Sequence, residues 1–280
     1  MRPANIPLPY FDILLEQLSL GDEAIQQAFG RHVHWGYWPQ PAQANGSVDD
    51  FAIASERLCQ RVYQAAGVKE NDRVLDAGCG FGGTIASLNE QFQSLQLTGL
   101  NIDPRQLTRA NQTVKPLANN QIAFVEGDAC QMPFADASMD VVLAVECIFH
   151  FPSRARFFQE AQRVLRPGGR LGICDFVSVP AFRALQKLLP KSGKSLLTRA
   201  YGRVDTYFTL ADYQSLAQAT GFHLTYQEDV TRNTLPTYPV VSQLFERAGN
   251  PEVSRATATV GLISKLGLLR YQIFSFVVQK

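Results

Sequence analysis

The sequence lacks an excess of either charge. Its 280 residues carry 26 Lys and Arg against 25 Asp and Glu, a formal net charge of +1, and they contain no basic block. A nucleic acid held through its phosphates needs a concentration of positive charge, so such a partner is disfavoured. We therefore expect a small-molecule partner.

Cysteine is scarce and poorly spaced for crosslinks or metal sites. The number is odd and no pair forms a C-x-x-C motif, which argues against a disulfide framework and against a zinc centre. We expect no bound metal, and we expect small buried thiols in a reducing compartment. The five cysteines are Cys59, Cys79, Cys130, Cys147 and Cys174.

Long apolar runs are also missing. No apolar stretch reaches the roughly 18 residues that a membrane span needs, and Asp12 and Glu16 interrupt the only apolar run near the N-terminus. The sequence therefore predicts neither a membrane helix nor a secretory leader. We expect a soluble cytoplasmic protein, as a monomer or a homodimer.

The segment RVLDAGCGFGG at residues 73–83 is the strongest local signal. Glycines let a ligand lie against bare backbone, so a strand followed by a glycine-rich turn predicts a shelf for an adenosine-sized cofactor. Gly78, Gly80 and Gly83 satisfy the G-x-G-x-x-G spacing of dinucleotide sites. Asp76 would repel a pyrophosphate but would attract an amino group, so it favours a cofactor with an amino group. An NAD-dependent oxidoreductase, which the glycine spacing alone would fit, is the less favoured alternative.

The order of elements predicts an α/β fold with a mostly parallel sheet covered on both faces. Helical patterns over 10–29 and 49–66 precede the first strand, and strands then alternate with helices. We predict a helical and aromatic N-terminal lid over 1–48 and a second domain over 49–280. Within that domain, the leucine-rich segment 178–206 is predicted to be an inserted cap over the acceptor site, or a plain pair of surface helices.

Four segments in order resemble the class I S-adenosylmethionine-dependent methyltransferases over residues 50–280. They are VLDAGCGFGG, GLNIDPRQLTRA, GDACQMPFADASMDVV and EAQRVLRPGGRLGICDF. HVHWGYW and VECIFHF are similar to segments of the small-molecule branch that includes sterol, tocopherol and natural-product enzymes. The resemblance implies a Rossmann-like sheet of about seven strands, with the antiparallel last strand between the fifth and sixth, and S-adenosylmethionine across the carboxyl ends of the strands.

The resemblance also implies which residues hold the cofactor. Asp76, Gly78 and Gly80 match positions at its amino-acid end, where a carboxylate makes a charge-assisted contact with the ammonium group. Asp128 and Ala129 match positions at the adenine, with the carboxylate accepting from the exocyclic amine. The alternative for Asp128 is a purely turn-forming role after Gly127.

One position departs from the family pattern. Members usually carry an acid at the end of the second strand to hold the ribose hydroxyls, and Asn101 stands there in this chain. An amide also bonds a hydroxyl, so we predict that Asn101 holds the ribose while Ile102 packs on the adenine. Asp103, two residues later, is the competing ribose ligand.

Two residues near the end of the fourth predicted strand, Glu146 and His150, are candidates for catalysis. His150, at the expected cofactor edge of the sheet, is predicted to be a general base or a group that orients the acceptor. Its alternative is a hydrogen bond to backbone or cofactor. Glu146 ends an apolar strand, where an unpaired charge would be costly, so we expect it to be partnered by the cofactor or by the N-terminal segment.

The aromatic segment at 32–41 is the last candidate. His34, Trp35, Tyr37 and Trp38 are predicted to close over the sulfonium and the acceptor, or only to fasten the N-terminal helix to the core. The function predicted from all these features is methyl transfer to a small, partly apolar natural-product-type acceptor, at oxygen or nitrogen. The alternatives are C-methylation of a prenylated quinone or sterol-like acceptor and a cofactor-retaining enzyme that does not methylate.

Overall fold

The described part of the chain, residues 8–188 and 196–279 of a computed structural model, contains one sheet of seven strands. The strands are β1 (Arg73–Ala77), β2 (Gln96–Asn101), β3 (Gln121–Glu126), β4 (Met139–Val145), β5 (Leu165–Ser178), β6 (Phe222–Asp229) and β7 (Leu269–Val278). Their order is β3-β2-β1-β4-β5-β7-β6, and β7 runs antiparallel to both neighbours. The predicted fold, with the last strand between the fifth and sixth, is confirmed.

Helices cover both faces of this sheet. The helices are α1 (Pro9–Ser19), α2 (Glu23–Phe29), α3 (Val48–Ala65), α4 (Gly83–Gln91), α5 (Pro104–Thr113), α6 (Arg154–Val164), α7 (Pro180–Leu188), α8 (Leu196–Tyr201), α9 (Leu210–Ala219), α10 (Thr231–Thr234), α11 (Thr237–Arg247) and α12 (Pro251–Lys265). Every residue of β4 is buried, as its unbroken apolar run predicts for a strand covered on both sides. The core therefore lies along the central strands, whose carboxyl ends meet at one edge.

The fifth strand begins earlier than the sequence predicts. The sequence Pro167-Gly168-Gly169 favours a turn before a strand from Arg170, whereas β5 starts at Leu165 and pairs there with Met139. The register with β4 then shifts before Val141 meets Arg170. Gly168 has a φ of +75°, a left-handed conformation open to glycine, so the glycine pair forms an irregularity within the strand.

The N-terminal segment forms two helices where the sequence predicted one helical stretch over 10–29. Gly21 adopts a φ of +78°, a left-handed conformation that ends α1. Asp22 then caps α2 by accepting a hydrogen bond from the Ile25 amide at 2.9 Å. The chain thus bends between the helices, which places the following aromatic segment over the sheet edge.

The lid and the described part of the cap pack into one apolar cluster with the helices before β7. Leu14 of α1, Phe29 of α2, Ala200 of α8, Val241 of α11 and Ala256 of α12 all belong to it. This cluster covers the carboxyl edge of the strands from one side. Residues 189–195 of the predicted cap lie outside the described residues.

Candidate active site

Two cavities open at the carboxyl edge of the strands. The first lies against the glycine turn, and every residue that sequence analysis assigned to the cofactor lines it. These residues are Asp76, Gly78, Gly80, Asn101, Ile102, Asp128, Ala129 and Glu146. The parallel strands explain this, because their carboxyl ends bring residues far apart in sequence to one edge.

Asp76 is a buried carboxylate that lacks a full set of partners. It is 1% exposed, and its Oδ2 atom has no hydrogen-bond partner within the described residues. Burial raises the pKa of Asp76 to about 7, against the opposing effect of the Thr84 hydroxyl. A cationic ammonium group would satisfy the free oxygen, so the site fits the amino-acid end of S-adenosylmethionine.

The two first glycines of the turn are needed for different reasons. Gly78 has a φ of +86°, and a Cβ there would lie 2.8 Å from the Cys147 sulfur. Gly80 has a φ of +54°, and a Cβ there would point into open space. Gly78 therefore permits close packing of the turn on the segment that follows β4, while Gly80 leaves bare backbone toward the cavity.

Asn101 sits in a hydrogen-bonded arrangement that sequence analysis described only in part. Its Oδ1 accepts from the Asp103 amide at 3.0 Å, and its Nδ2 donates to the Gln106 side chain at 2.9 Å. Gln106 is buried and also lines the first cavity, a role that sequence analysis missed. Gln106 lies in the first turn of α5, just after the end of β2, and this position at the carboxyl edge of the sheet is the sequence feature that would have indicated a cofactor contact.

Asp103 and Asp128 have local structural roles. Asp103 caps α5 through the Arg105 amide and pairs with the Arg105 guanidinium, and it does not line the cavity. Asp128 accepts from the Cys130 amide at 2.8 Å, the turn-forming role considered above, but it also lines the cavity. The turn uses only Oδ1 of Asp128, so the predicted adenine contact through Oδ2 is compatible with it.

Glu146 has the partner that its burial demanded. It follows β4 with a φ of +52°, and its Oε2 accepts from the Trp35 amide at 2.9 Å and from the Tyr271 hydroxyl. Burial raises the pKa of Glu146 to about 8, and these two hydrogen bonds only partly oppose the rise. We expected Glu146 to be partnered by the cofactor or by the N-terminal segment, and Trp35 is a partner from the N-terminal segment.

The second cavity is larger and mostly apolar. Its volume is about 440 Å³, against about 90 Å³ for the first, and it lies between the lid, the described part of the cap, α11 and α12. Aromatic and aliphatic side chains form most of its wall, as in sites for drug-sized ligands. The residues that line both cavities are Tyr10, Val33, Glu146 and His150.

His150 belongs to this shared wall, and its hydrogen bonds define its tautomer. Its Nδ1 lies 3.1 Å from the Arg203 carbonyl, which only accepts, so Nδ1 carries the proton. Burial lowers the pKa of His150 to about 4, which keeps the ring neutral at pH 7. The lone pair on Nε2 therefore faces the Tyr10 hydroxyl, 3.3 Å away.

Tyr10 is a second residue that sequence analysis missed. Only the apolar face of the first helix was visible in the pattern, and Tyr10 was not part of it. Burial raises the pKa of Tyr10 well above its usual value, so its hydroxyl stays protonated. It can donate to Nε2 of His150 as long as no ligand takes that place.

The aromatic segment divides between the cavities and the core. His34 lines the first cavity and Trp35 the second, whereas Tyr37 and Trp38 line neither. Trp38 is buried and donates to Asp50 at 2.8 Å. Tyr37 lies under a guanidinium of α3, at 5.5 Å. For these two residues the geometry favours fastening the lid over closing on a ligand.

His32 and His34 link this segment to α3. His34 donates from Nδ1 to the Trp35 carbonyl at 2.8 Å, and its Nε2 lies 3.1 Å from Nδ1 of His32. The other ring nitrogen of His32 lies 2.7 Å from a carboxylate oxygen of Glu56. Because this chain of bonds uses both imidazoles, His34 is held as part of the cofactor-cavity wall.

The described residues contain neither a metal-binding cluster nor a membrane-spanning helix. No three His, Cys, Asp or Glu side chains in that part of the chain are arranged to hold a metal ion. In the same residues, no helix is both long and apolar enough to cross a bilayer.

Comparisons with known proteins agree with this geometry. A family model described as a methyltransferase domain matches residues 75–173. Methyltransferase GfsG of Streptomyces halstedii is 32% identical over 252 residues, covering 88% of this chain and 87% of the relative. The 27-O-demethylrifamycin SV methyltransferase of Amycolatopsis mediterranei (strain S699) is 31% identical over 226 residues, covering 80% and 78%. Among solved structures, the [4+2]-cyclase SpnF shares the fold, with a TM-score of 0.74 and 22% identity over 99% of both chains.

Proposed function

The chain belongs to the S-adenosylmethionine-dependent methyltransferases that act on small molecules, and on that premise we propose that its acceptor is a bulky, largely apolar compound methylated on oxygen. The observation that carries this proposal is the 440 Å³ apolar cavity that shares a wall with the cofactor cavity. The name of one relative also specifies an oxygen, the 27-O position of a rifamycin.

The residues of the first cavity would hold the cofactor at its ammonium group, its ribose and its adenine. Asp76 would accept from the ammonium group, Asn101 with Gln106 would face the ribose, and Asp128 would lie at the adenine. Bound there, S-adenosylmethionine supplies an electrophilic methyl group, whose carbon–sulfur bond breaks as the acceptor oxygen attacks. We place the transfer at the shared wall, because both cavities meet there.

His150 is the proposed base for this transfer. Its unprotonated Nε2 lies at the shared wall, and once the acceptor displaces the Tyr10 hydroxyl it would take the proton that the acceptor oxygen loses. Burial lowers the pKa of His150 to about 4, so the ring is neutral at pH 7 and its Nε2 is able to accept a proton. Alignment of the oxygen with the methyl group would lower the activation barrier, by about 7 to 11 kcal/mol in well-oriented systems.

The segment 178–206 is proposed to cap the acceptor. Phe182 of α7, Tyr201 of α8 and Thr206 line the second cavity. Together with the lid over 1–48, it would exclude water from the transfer. The cytoplasmic location and the monomeric or homodimeric state stay predictions.

Methylation of carbon in a sterol-like acceptor is the second candidate. The wall of the second cavity presents the faces of Trp35, Phe149 and Phe176, and Glu146 lies at its edge. Aromatic faces stabilise a carbocation formed when an alkene is methylated, and Glu146 above its pKa of about 8 would remove a proton from it. This arrangement favours C-methylation only if Glu146 is required for turnover.

The experiment incubates the full chain with S-adenosylmethionine and a panel of macrocyclic, polycyclic aromatic and sterol acceptors. S-adenosylhomocysteine release and product mass are measured. We expect O-methylated product, and a fall of about 100-fold or more in turnover for His150→Gln with unchanged cofactor affinity. Glu146→Gln is the matched variant, and it should retain most activity at pH 7 because Glu146 is protonated there.

The outcomes separate the candidates. C-methylated product, with loss of activity in Glu146→Gln but not in His150→Gln, would establish the second candidate. An acceptor that is converted without S-adenosylhomocysteine release would identify a cofactor-retaining enzyme. Normal turnover of His150→Gln with an O-methylated product would remove His150 as the base.

A further inference from the structure

Arg154, at the start of α6, is a buried cation that connects two separate parts of the chain. Its Nε and Nη2 donate to Asp175 of β5, at 3.1 and 2.8 Å. On the other side, Nη1 donates to the Asp205 carboxylate at 2.7 Å and Nη2 to the Asp205 carbonyl at 2.8 Å. The guanidinium therefore fixes the loop after α8 to the central sheet.

That loop is the one whose backbone contacts His150. The Arg203 carbonyl accepts from Nδ1 of His150 at 3.1 Å, and the Asp205 amide donates to the Phe149 carbonyl at 2.9 Å. Thr206 and Tyr207, on the far side of Asp205, line the second cavity. One anchored stretch thus supports both the candidate base and one wall of the acceptor cavity.

The Arg203 carbonyl matters because it selects one tautomer. Nδ1 must carry the proton to donate to it, which leaves Nε2 as the acceptor. An imidazole without this partner is free to carry its proton on Nε2, and that tautomer cannot take a proton from an acceptor oxygen. The position of the carbonyl therefore decides whether His150 is competent as a base.

We propose that Arg154 and Asp205 form a clamp that positions His150, by holding the Arg203 carbonyl on Nδ1 and so keeping Nε2 unprotonated toward the two cavities. The base role of His150 rests on the proposed function, but the effect of the clamp on the tautomer does not. Neither residue of the clamp lines either cavity, so both act through the loop that carries the Arg203 carbonyl.

Asp205 is the better residue to change. Its side chain is 42% exposed, whereas those of Arg154 and Asp175 are 2% and 0% exposed, so removing Arg154 would strand a buried carboxylate. Asp205→Asn retains Oδ1, which accepts from the Tyr207 amide at 3.0 Å and shapes the loop. With Oδ1 kept on the Tyr207 amide, the side-chain NH2 of Asn replaces the oxygen bonded to Nη1, which removes that hydrogen bond and leaves the loop turn in place.

The test is the ¹⁵N–¹H spectrum of the imidazoles in the histidine-labelled full chain, with the His150 signals identified by their loss in His150→Gln. For the wild type we expect one neutral form at pH 7, protonated on Nδ1. For Asp205→Asn we expect loss of that single form and appearance of Nε2 protonation. Calorimetry with S-adenosylmethionine should give unchanged affinity, which shows that the fold and the first cavity are intact.

Arg183→Met is the matched control. It removes an ion pair of similar geometry, Arg183 to Asp212 at 2.6 Å, which joins α7 of the predicted cap to α9. We expect the His150 pattern to stay Nδ1-protonated in this variant. Equal loss of the pattern in both variants would show a general loosening of the cap and would overturn the clamp.

The two proposals fail in different ways. An unchanged Nδ1-protonated signal in folded Asp205→Asn would overturn the clamp, whatever His150 does in turnover. If Asp205→Asn loses the signal while His150→Gln turns over normally, the clamp stands and the base assignment falls. If both stand, turnover of Asp205→Asn should fall by less than that of His150→Gln, since part of the ring population keeps the competent tautomer.

Discussion

The two cavities differ in how the chain builds them. The residues assigned to the cofactor lie at or just after the ends of successive strands, from Asp76 to Glu146, and they meet because parallel strands end at one edge. The acceptor cavity draws on helices from both ends of the chain, from Tyr10 of α1 to Ile263 of α12. The first cavity depends on strand order, and the second depends on how the helices pack above it.

The cavities also differ in how they would recognise a ligand. The first contains Asp76, a carboxylate with an unsatisfied oxygen, which provides recognition by charge. The second is walled mainly by apolar side chains, which provide recognition by shape. Substitutions in one cavity should therefore change affinity for the cofactor or for the acceptor, but not for both.

The largest effect is expected from Asp76→Asn. The amide keeps the shape of the side chain but loses its charge, and a hydrogen bond to a charged group contributes about 1.5 to 3 kcal/mol. Calorimetry should therefore show cofactor affinity about 10- to 100-fold weaker. Acceptor KM measured at saturating cofactor should stay the same. A matching rise in acceptor KM would break the comparison between the cavities.

The same variant should change how stability depends on pH. The pKa of Asp76 is raised to about 7 in the folded, cofactor-free protein, so folding favours the protonated form. Its contribution to the unfolding free energy is fully present below about pH 4 and is lost as pH rises through 7, about 4 kcal/mol in all. Urea unfolding of Asp76→Asn should lack this loss. Glu146, with its pKa of about 8, leaves a similar dependence in place.

The cofactor half of the molecule could be predicted because its signals are local. A strand, a turn and a carboxylate lie within a few residues of each other, so the position of Asp76 follows once the strand is recognised. Gln106 escaped because its role depends on the side-chain bond to Asn101, which no spacing rule provides. The early start of β5 escaped because the pairing of Leu165 with Met139 is a contact between strands that the local glycine pattern does not report.

The acceptor half could be predicted only as a class of surface. Apolar helices indicated an apolar site, but Tyr10 reaches His150 across 140 positions of sequence, and no periodicity reports such a contact. The same limit applies to Trp38, whose aromatic character fits a ligand contact or a core contact equally well. Its burial and its bond to Asp50 are properties of the folded packing.

A smaller effect is expected from filling the second cavity. Val260 lies on α12 and lines this cavity, so Val260→Phe would occupy space that the acceptor needs. We expect acceptor KM to rise about tenfold, since one misfitted group in an apolar pocket costs about 1 to 3 kcal/mol. Cofactor affinity should not change. Leu262→Phe, on the same helix but 59% exposed, is the control and should behave as wild type.

The smallest effect tests the part of the cofactor cavity that would hold the ribose. Asn101 lines the cavity while Asp103 does not, so Asn101→Ala should weaken cofactor binding about threefold, the cost of a modest neutral hydrogen bond. Asp103→Asn retains the cap on α5 and should leave affinity unchanged. The reverse result would assign the ribose to Asp103 and would place a carboxylate at the ribose as well as at the ammonium group. Recognition by charge would then extend along the whole first cavity, and the contrast with the apolar second cavity would become sharper.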